Sequence, residues 1–205
     1  MLKSTVDRPA SPSAFLITLG VLSGYLKHPI LFLLSTALTY RGFRKRIPEE
    51  FPPEFIRMIA FQAWLYLRLK KKLGPQKGLE IMRVIIITGG TAIQQSGFRT
   101  VEAGRTWENL VQFQQRNNRE GSTQWNEMEV LSQNEMVYEI KVTRCLFYEF
   151  FKELGIAELT KCICALDNVI FNTYLPEKVS FRRGGLNKRI SDGASECRFI
   201  IEHHG

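Results

Sequence analysis

The 205-residue chain predicts an α+β fold, with helices at the front packed on a small antiparallel sheet at the back. Three observations predict it. Apolar residues recur at helical spacing through most of the first 119 positions. Later, Met136, Tyr138, Ile140 and Val142 alternate with Val137, Glu139 and Lys141, and the same period of two returns at Val179 and Phe181 and at Cys197, Phe199 and Ile201. Two helical stretches lie between the first and second of these runs. The order strand, helix, helix, strand, strand suits segregated helices on an antiparallel sheet.

Taken in order, residues 1–13 are polar, carry two prolines and are expected to form a disordered tail. Residues 14–47 are an apolar helical segment in which Lys27, His28 and Pro29 separate FLITLGVLSGYL from ILFLLSTALTY. A spanning helix needs about 20 uninterrupted apolar residues, so two short helices are expected, packed on the core or lying in a membrane interface. Arg41, Arg44, Lys45 and Arg46 would suit anionic headgroups, which makes peripheral membrane contact through residues 14–46 an expectation. The early apolar run lacks the small-residue cleavage site of a signal peptide.

Pro48, Pro52 and Pro53 mark a connection, and residues 48–205 are expected to form the α+β domain proper. Within it, Phe55 to Lys72 has Ile56, Ile59, Ala60, Ala63, Trp64 and Leu67 on one face and closes on Lys70, Lys71 and Lys72. Gly74 and Pro75 break the chain before a helix over Lys77 to Ile87. Thr88-Gly89-Gly90-Thr91 lacks the phosphate-loop pattern and is expected to be a flexible turn. Thr106 to Arg119 forms a polar helix, and Glu120 to Trp125 a loop into the sheet.

Composition narrows the function class. With 44% hydrophobic and 23% charged residues the chain is globular rather than disordered. Its charge of +8 admits an anionic partner, but no helix combines clustered basic residues with interleaved aromatics, so no nucleic-acid partner is expected. Four cysteines without close paired spacing suit free thiols in a reducing, cytoplasmic setting. No cofactor motif is present. A metal held by three convergent thiols would need the fold alone to assemble it, since C-x-x-C is missing, and His203 and His204 are expected to fray at the C-terminus.

All four cysteines fall between Cys145 and Cys197, and the chemistry is sought there. Leu146, Phe147, Phe150, Phe151 and Leu154 mark a short helix stopped by Gly155. The next runs from near Ala157 to Pro176, with Leu159, Cys162, Ile163, Leu166, Ile170 and Tyr174 facing the core. Cys164, Asp167, Asn168 and Phe171 share a neighbouring face. Cys162 is thus a core residue and Cys164 a site candidate beside Asp167. Cys145 and Cys197 are either core thiols or members of the same site.

A strand ending in Cys145, a helix with Glu149 closing on Leu154-Gly155, Cys164-x-x-Asp167, the stop at Pro176, and Gly193, Cys197 and Phe199 together resemble the L-2-amino-thiazoline-4-carboxylic acid hydrolase family over the last third of the chain. The family pattern usually has Asp after the last cysteine, where this chain has Arg198. Its basic connection, Arg182, Arg183, Gly184, Gly185, Asn187, Lys188 and Arg189, is also longer.

The resemblance implies ring-opening hydrolysis of L-2-aminothiazoline-4-carboxylate or a related cyclic amidine, to a carbamoyl-cysteine-type product. Under it Cys164 attacks the ring carbon between nitrogen and sulfur while Asp167 orients the amidinium and passes protons; a water activated by Asp167 would serve equally. Cys145 and Cys197 complete the catalytic candidates, and Glu149, Asn168, Arg182 and Arg183 the substrate-binding ones, an arginine taking the carboxylate. The helices-then-sheet order is also similar to vinyl-reductase-type ligand-binding domains, which would imply a binding protein for a tetrapyrrole or other hydrophobic small molecule.

Overall fold

The computed structural model describes residues 13–101, 105–184 and 188–205, the side chains of 93–101 excepted. The expected tail therefore lies outside the described residues up to Ser13, as do Gly185 and Asn187. The helices are α1 (Ala14–Ser23), α2 (Pro29–Arg44), α3 (Pro53–Leu73), α4 (Pro75–Val101), α5 (Trp107–Glu120), α6 (Leu146–Glu153) and α7 (Thr160–Tyr174). The strands are β1 (Glu127–Gln133), β2 (Val137–Arg144), β3 (Val179–Arg182) and β4 (Cys197–His203). Short 3-10 turns cover Ala157–Leu159 and Ile190–Asp192.

The α+β architecture is as expected. Proline opens α2, α3 and α4, where its missing N–H and fixed φ cost nothing. Helix α6 ends in a Schellman motif: Gly155, at φ 68°, donates to the Lys152 carbonyl, and Ile156 donates to that of Phe151. That reversal leads through the 3-10 turn at Ala157–Leu159 into α7.

Three local expectations need correction. Thr88-Gly89-Gly90-Thr91 is not a turn but the middle of α4. A Cβ on Gly90 would lie 2.3 Å from Leu166 Cδ2, so the missing side chain is what lets α7 press against α4. His203 does not fray: it lies in β4, stacked on Trp107 with centroids 5.2 Å apart, while His204 N–H donates to the Lys178 carbonyl. Strand β1, unanticipated, pairs antiparallel with β2 at the sheet edge.

The sheet order is β1-β2-β4-β3, antiparallel throughout. Register sets Tyr138 opposite Ile201, Ile140 opposite Phe199 and Val142 opposite Cys197. Tyr138, Ile140, Phe199 and Ile201 pack on α5 and α7 in a cluster with Leu110, Ile170, Phe171 and Tyr174. A second cluster joins α1 to α4 and α6 around Leu22, Phe55, Tyr66, Leu69, Met82 and Phe150. Phe55 meets Trp125, Phe147 and Phe150 edge-on, at 5.1–5.6 Å, a geometry worth about 0.5–1.5 kcal/mol per pair beyond burial. Helix α7 walls both clusters, giving Cys162 to the helical one and Ile170 to the other.

Helices α1 and α2 sink Leu22, Phe32, Leu33 and Phe43 into the helical cluster while Phe15, Leu16, Ile30, Leu31, Leu34 and Leu38 stay exposed. Among the described residues no helix is long and apolar enough to cross a membrane.

Candidate active site

Helix α7 begins in the helical cluster and ends under the sheet, and Cys164 and Asp167 lie one turn apart where it passes between them. Residues 189–192, ahead of β4, pack against this stretch. The turn at Ile190–Asp192 is held by the Arg189 carbonyl, which accepts from Asp192 N–H at 2.9 Å and Ala194 N–H at 3.1 Å, with Gly193 left-handed at φ 93°. The Asp192 carboxylate pairs with Arg189 and, at 3.1 Å, with Lys161 in the first turn of α7. Loop and helix are thereby pinned together. Ser191 Oγ then lies 3.9 Å from Cys164 Sγ, and Ile190 N–H donates to Cys197 Sγ at 3.0 Å.

Arg183 enters from the other side. Its guanidinium lies 4.2 Å from the centre of the Phe199 ring and 5.4 Å from that of Phe181. From that platform Nη2 donates to Asp167 Oδ2 and, at 3.4 Å, to the Cys164 carbonyl. The Arg183 side chain is only 9% exposed against 24% for Asp167, and its Nε is buried without a partner among the described residues.

Burial decides the electrostatics. It pushes the Asp167 carboxyl up to about 6, against the opposing pull of Arg183. The four cysteines are free, and burial raises every thiol: Cys145 to about 12, Cys162 to about 11, and Cys164 and Cys197 above the ordinary range. Cys164 and Cys197 add a smaller upward push on Cys145, and Cys197 one on Cys164. At neutral pH the site holds protonated thiols beside a carboxylate able to take a proton.

The other sequence candidates divide. Cys145 and Cys197 share one end of the sheet, since Cys197 is opposite Val142 and Cys145 follows shortly after β2. Arg182 points the opposite way from Arg183, exposed and paired with Glu202 at 2.9 Å. Glu149 pairs with Arg144 at 2.8 Å at the start of α6, and Asn168 is exposed on α7. Ser191 and the Arg189–Asp192–Lys161 cluster were not anticipated; the Asp192-Gly193 pair is the sequence signal that marks such a turn. Among the described residues no group of three or more His, Cys, Asp or Glu side chains is placed to hold a metal ion.

Residues 54–201 match the family model of L-2-amino-thiazoline-4-carboxylic acid hydrolase. The chain belongs to this family. No curated protein and no solved structure matches it. As a member of the aminothiazoline-carboxylate hydrolase family, its function at family level is hydrolase-like. The family match opens in α3 and ends in β4, so it takes in α3, α4 and α5 and is wider than the last third that carried the resemblance.

Proposed function

We propose that the chain hydrolyses L-2-aminothiazoline-4-carboxylate or a related cyclic amidine, opening the ring to a carbamoyl-cysteine-type product. The observation that carries this reading is the meeting of Arg183 and Ser191 with Cys164 and Asp167 at one turn of α7, in a chain of this family. In the water route Asp167 takes a proton from water as its oxygen bonds to the ring carbon between nitrogen and sulfur. The ring C–N bond then breaks as the added oxygen becomes a carbonyl, and the departing nitrogen ends with both of water's protons, one carried by Asp167 and one from the added hydroxyl, and becomes the α-amine. The carbon keeps the new oxygen, the exocyclic nitrogen and the sulfur.

In the thiol route Cys164 Sγ bonds to that carbon first and the ring C–N bond breaks, the departing nitrogen taking the thiol proton through Asp167 and a second proton from the exocyclic nitrogen. Water then adds to the carbon and Cys164 leaves as the thiol, one of water's protons returning to Sγ and the other to the exocyclic nitrogen. Because burial keeps Cys164 protonated, attack needs this base. Arg183 serves either route by holding Asp167, and a substrate carboxylate meeting the guanidinium would satisfy the orphaned Nε. A reducing cytoplasm suits the four free thiols.

The test is turnover of L-2-aminothiazoline-4-carboxylate by purified protein, with product identified by mass. Turnover is expected, and Asp167→Asn should lower it at least about a hundredfold. Cys164→Ser distinguishes the routes: equal loss assigns the thiol as nucleophile, retained activity assigns water. A wild-type protein inactive on every cyclic amidine and thiazoline tried would sink the proposal. A co-purifying chromophore or lipid would then favour the binding-protein reading.

A further inference from the structure

We infer that the outer face of α2, with the groove between α2 and α3, docks the protein on an anionic phospholipid bilayer. Ile30, Leu31, Leu34 and Leu38 form one stripe of α2 and remain 55%, 64%, 55% and 82% exposed. Leu31 and Leu38 also line a groove of about 1120 Å³ whose rim carries Lys27, Arg46, Arg68, Lys71 and Lys72. Stripe and cations therefore share one surface. Among the described residues none of these five cations has a carboxylate partner, and residues 13–48 contain no Asp or Glu at all.

Arg68 is set in place for an anion. Its guanidinium donates to Ser35 Oγ at 2.9 Å and Thr39 Oγ1 at 3.0 Å, and lies 5.8 Å from the ring centres of Phe32 and Trp64. Neutral hydroxyls fix its position and leave its charge uncompensated. Apolar side chains beside unpaired cations match the acyl and phosphate layers of a bilayer. A second copy is disfavoured, because a two-fold contact would set this cationic rim against itself. Crossing is not required: α2 has 16 residues, about 24 Å at helical rise, short of the roughly 30 Å hydrocarbon layer.

This inference is independent of the hydrolase reading. Its test is co-sedimentation of the full chain with phosphatidylcholine vesicles, with and without 30% phosphatidylserine. Binding to the anionic vesicles and not the neutral ones is expected, weakening as salt rises. Lys71→Ala/Lys72→Ala should reduce it about thirtyfold, and Leu38→Asp, at a surface position, should abolish it with thermal stability unchanged. Three results would overturn the inference: no binding by the folded wild type, equal binding to neutral vesicles, or a dimer that Leu38→Asp disrupts in a protein that ignores vesicles.

Discussion

The Arg183 guanidinium lies over the Phe199 ring and holds the Asp167 carboxylate from there. A cation so placed does two things: it anchors the carboxylate that α7 presents, and it resists the upward push of burial on that carboxyl group. Removing it would leave burial unopposed.

Arg183→Met should accordingly move the acid limb of kcat/KM, expected near pH 6 in the wild type, to higher pH. Activity at pH 7 should fall at least about tenfold. Arg182→Met, which removes a partner of Glu202 on the exposed side, should leave the limb where it was. The pH–rate profiles of the two variants make the comparison.

Asp167 also governs stability. Its folded pKa, about 6, is raised above the ordinary carboxyl value, so the unfolded chain gives up this proton first as pH rises. The group's contribution is full below about pH 4 and is lost as pH climbs through 6. Between pH 4 and pH 7 the wild type should lose about 2–3 kcal/mol relative to Asp167→Asn. Urea unfolding of both proteins at the two pH values measures this.

Native thiols should be sluggish. With Cys145 near 12 and Cys162 near 11, the thiolate fractions at pH 8 fall about a thousandfold and a hundredfold below an ordinary cysteine's. Ellman's reagent should therefore titrate the native protein slowly and all four cysteines quickly in denaturant. Fast reaction of a native thiol would contradict the burial argument.

Gly90→Ala puts a methyl group into Leu166 and should cost about 1–3 kcal/mol. Leu166→Ala in the same chain should recover part of that cost, since the pair shares one contact. Thermal denaturation of the two single variants and the double variant gives the coupling.

Much of the fold was legible because its elements bury one face. Helices α3, α6 and α7 and strands β2, β3 and β4 each carry an apolar period that the core requires. Strand β1 has none: it is an edge strand with Val130 and Leu131 exposed, held by backbone pairing that no side-chain pattern announces. The Gly89-Gly90 pair misled because glycine is costly in a helix by about 1 kcal/mol each, and what outweighs this is a tertiary contact with Leu166.

In the site, the pairing of Cys164 with Asp167 followed from one turn of helix. Arg182 and Arg183 stood as equal candidates in the sequence, and it is the structure that separates them, with Arg183 on Asp167 and Arg182 on Glu202. Ser191 was not legible, because a turn closed by backbone hydrogen bonds brings it to Cys164.

Helix α7 is a party wall between two rooms of the molecule. Heat cannot empty one hydrophobic centre without stripping a side from the other, so the two should melt together in a single cooperative transition. A loosening in either half that reaches α7 would disturb the turn bearing Cys164 and Asp167.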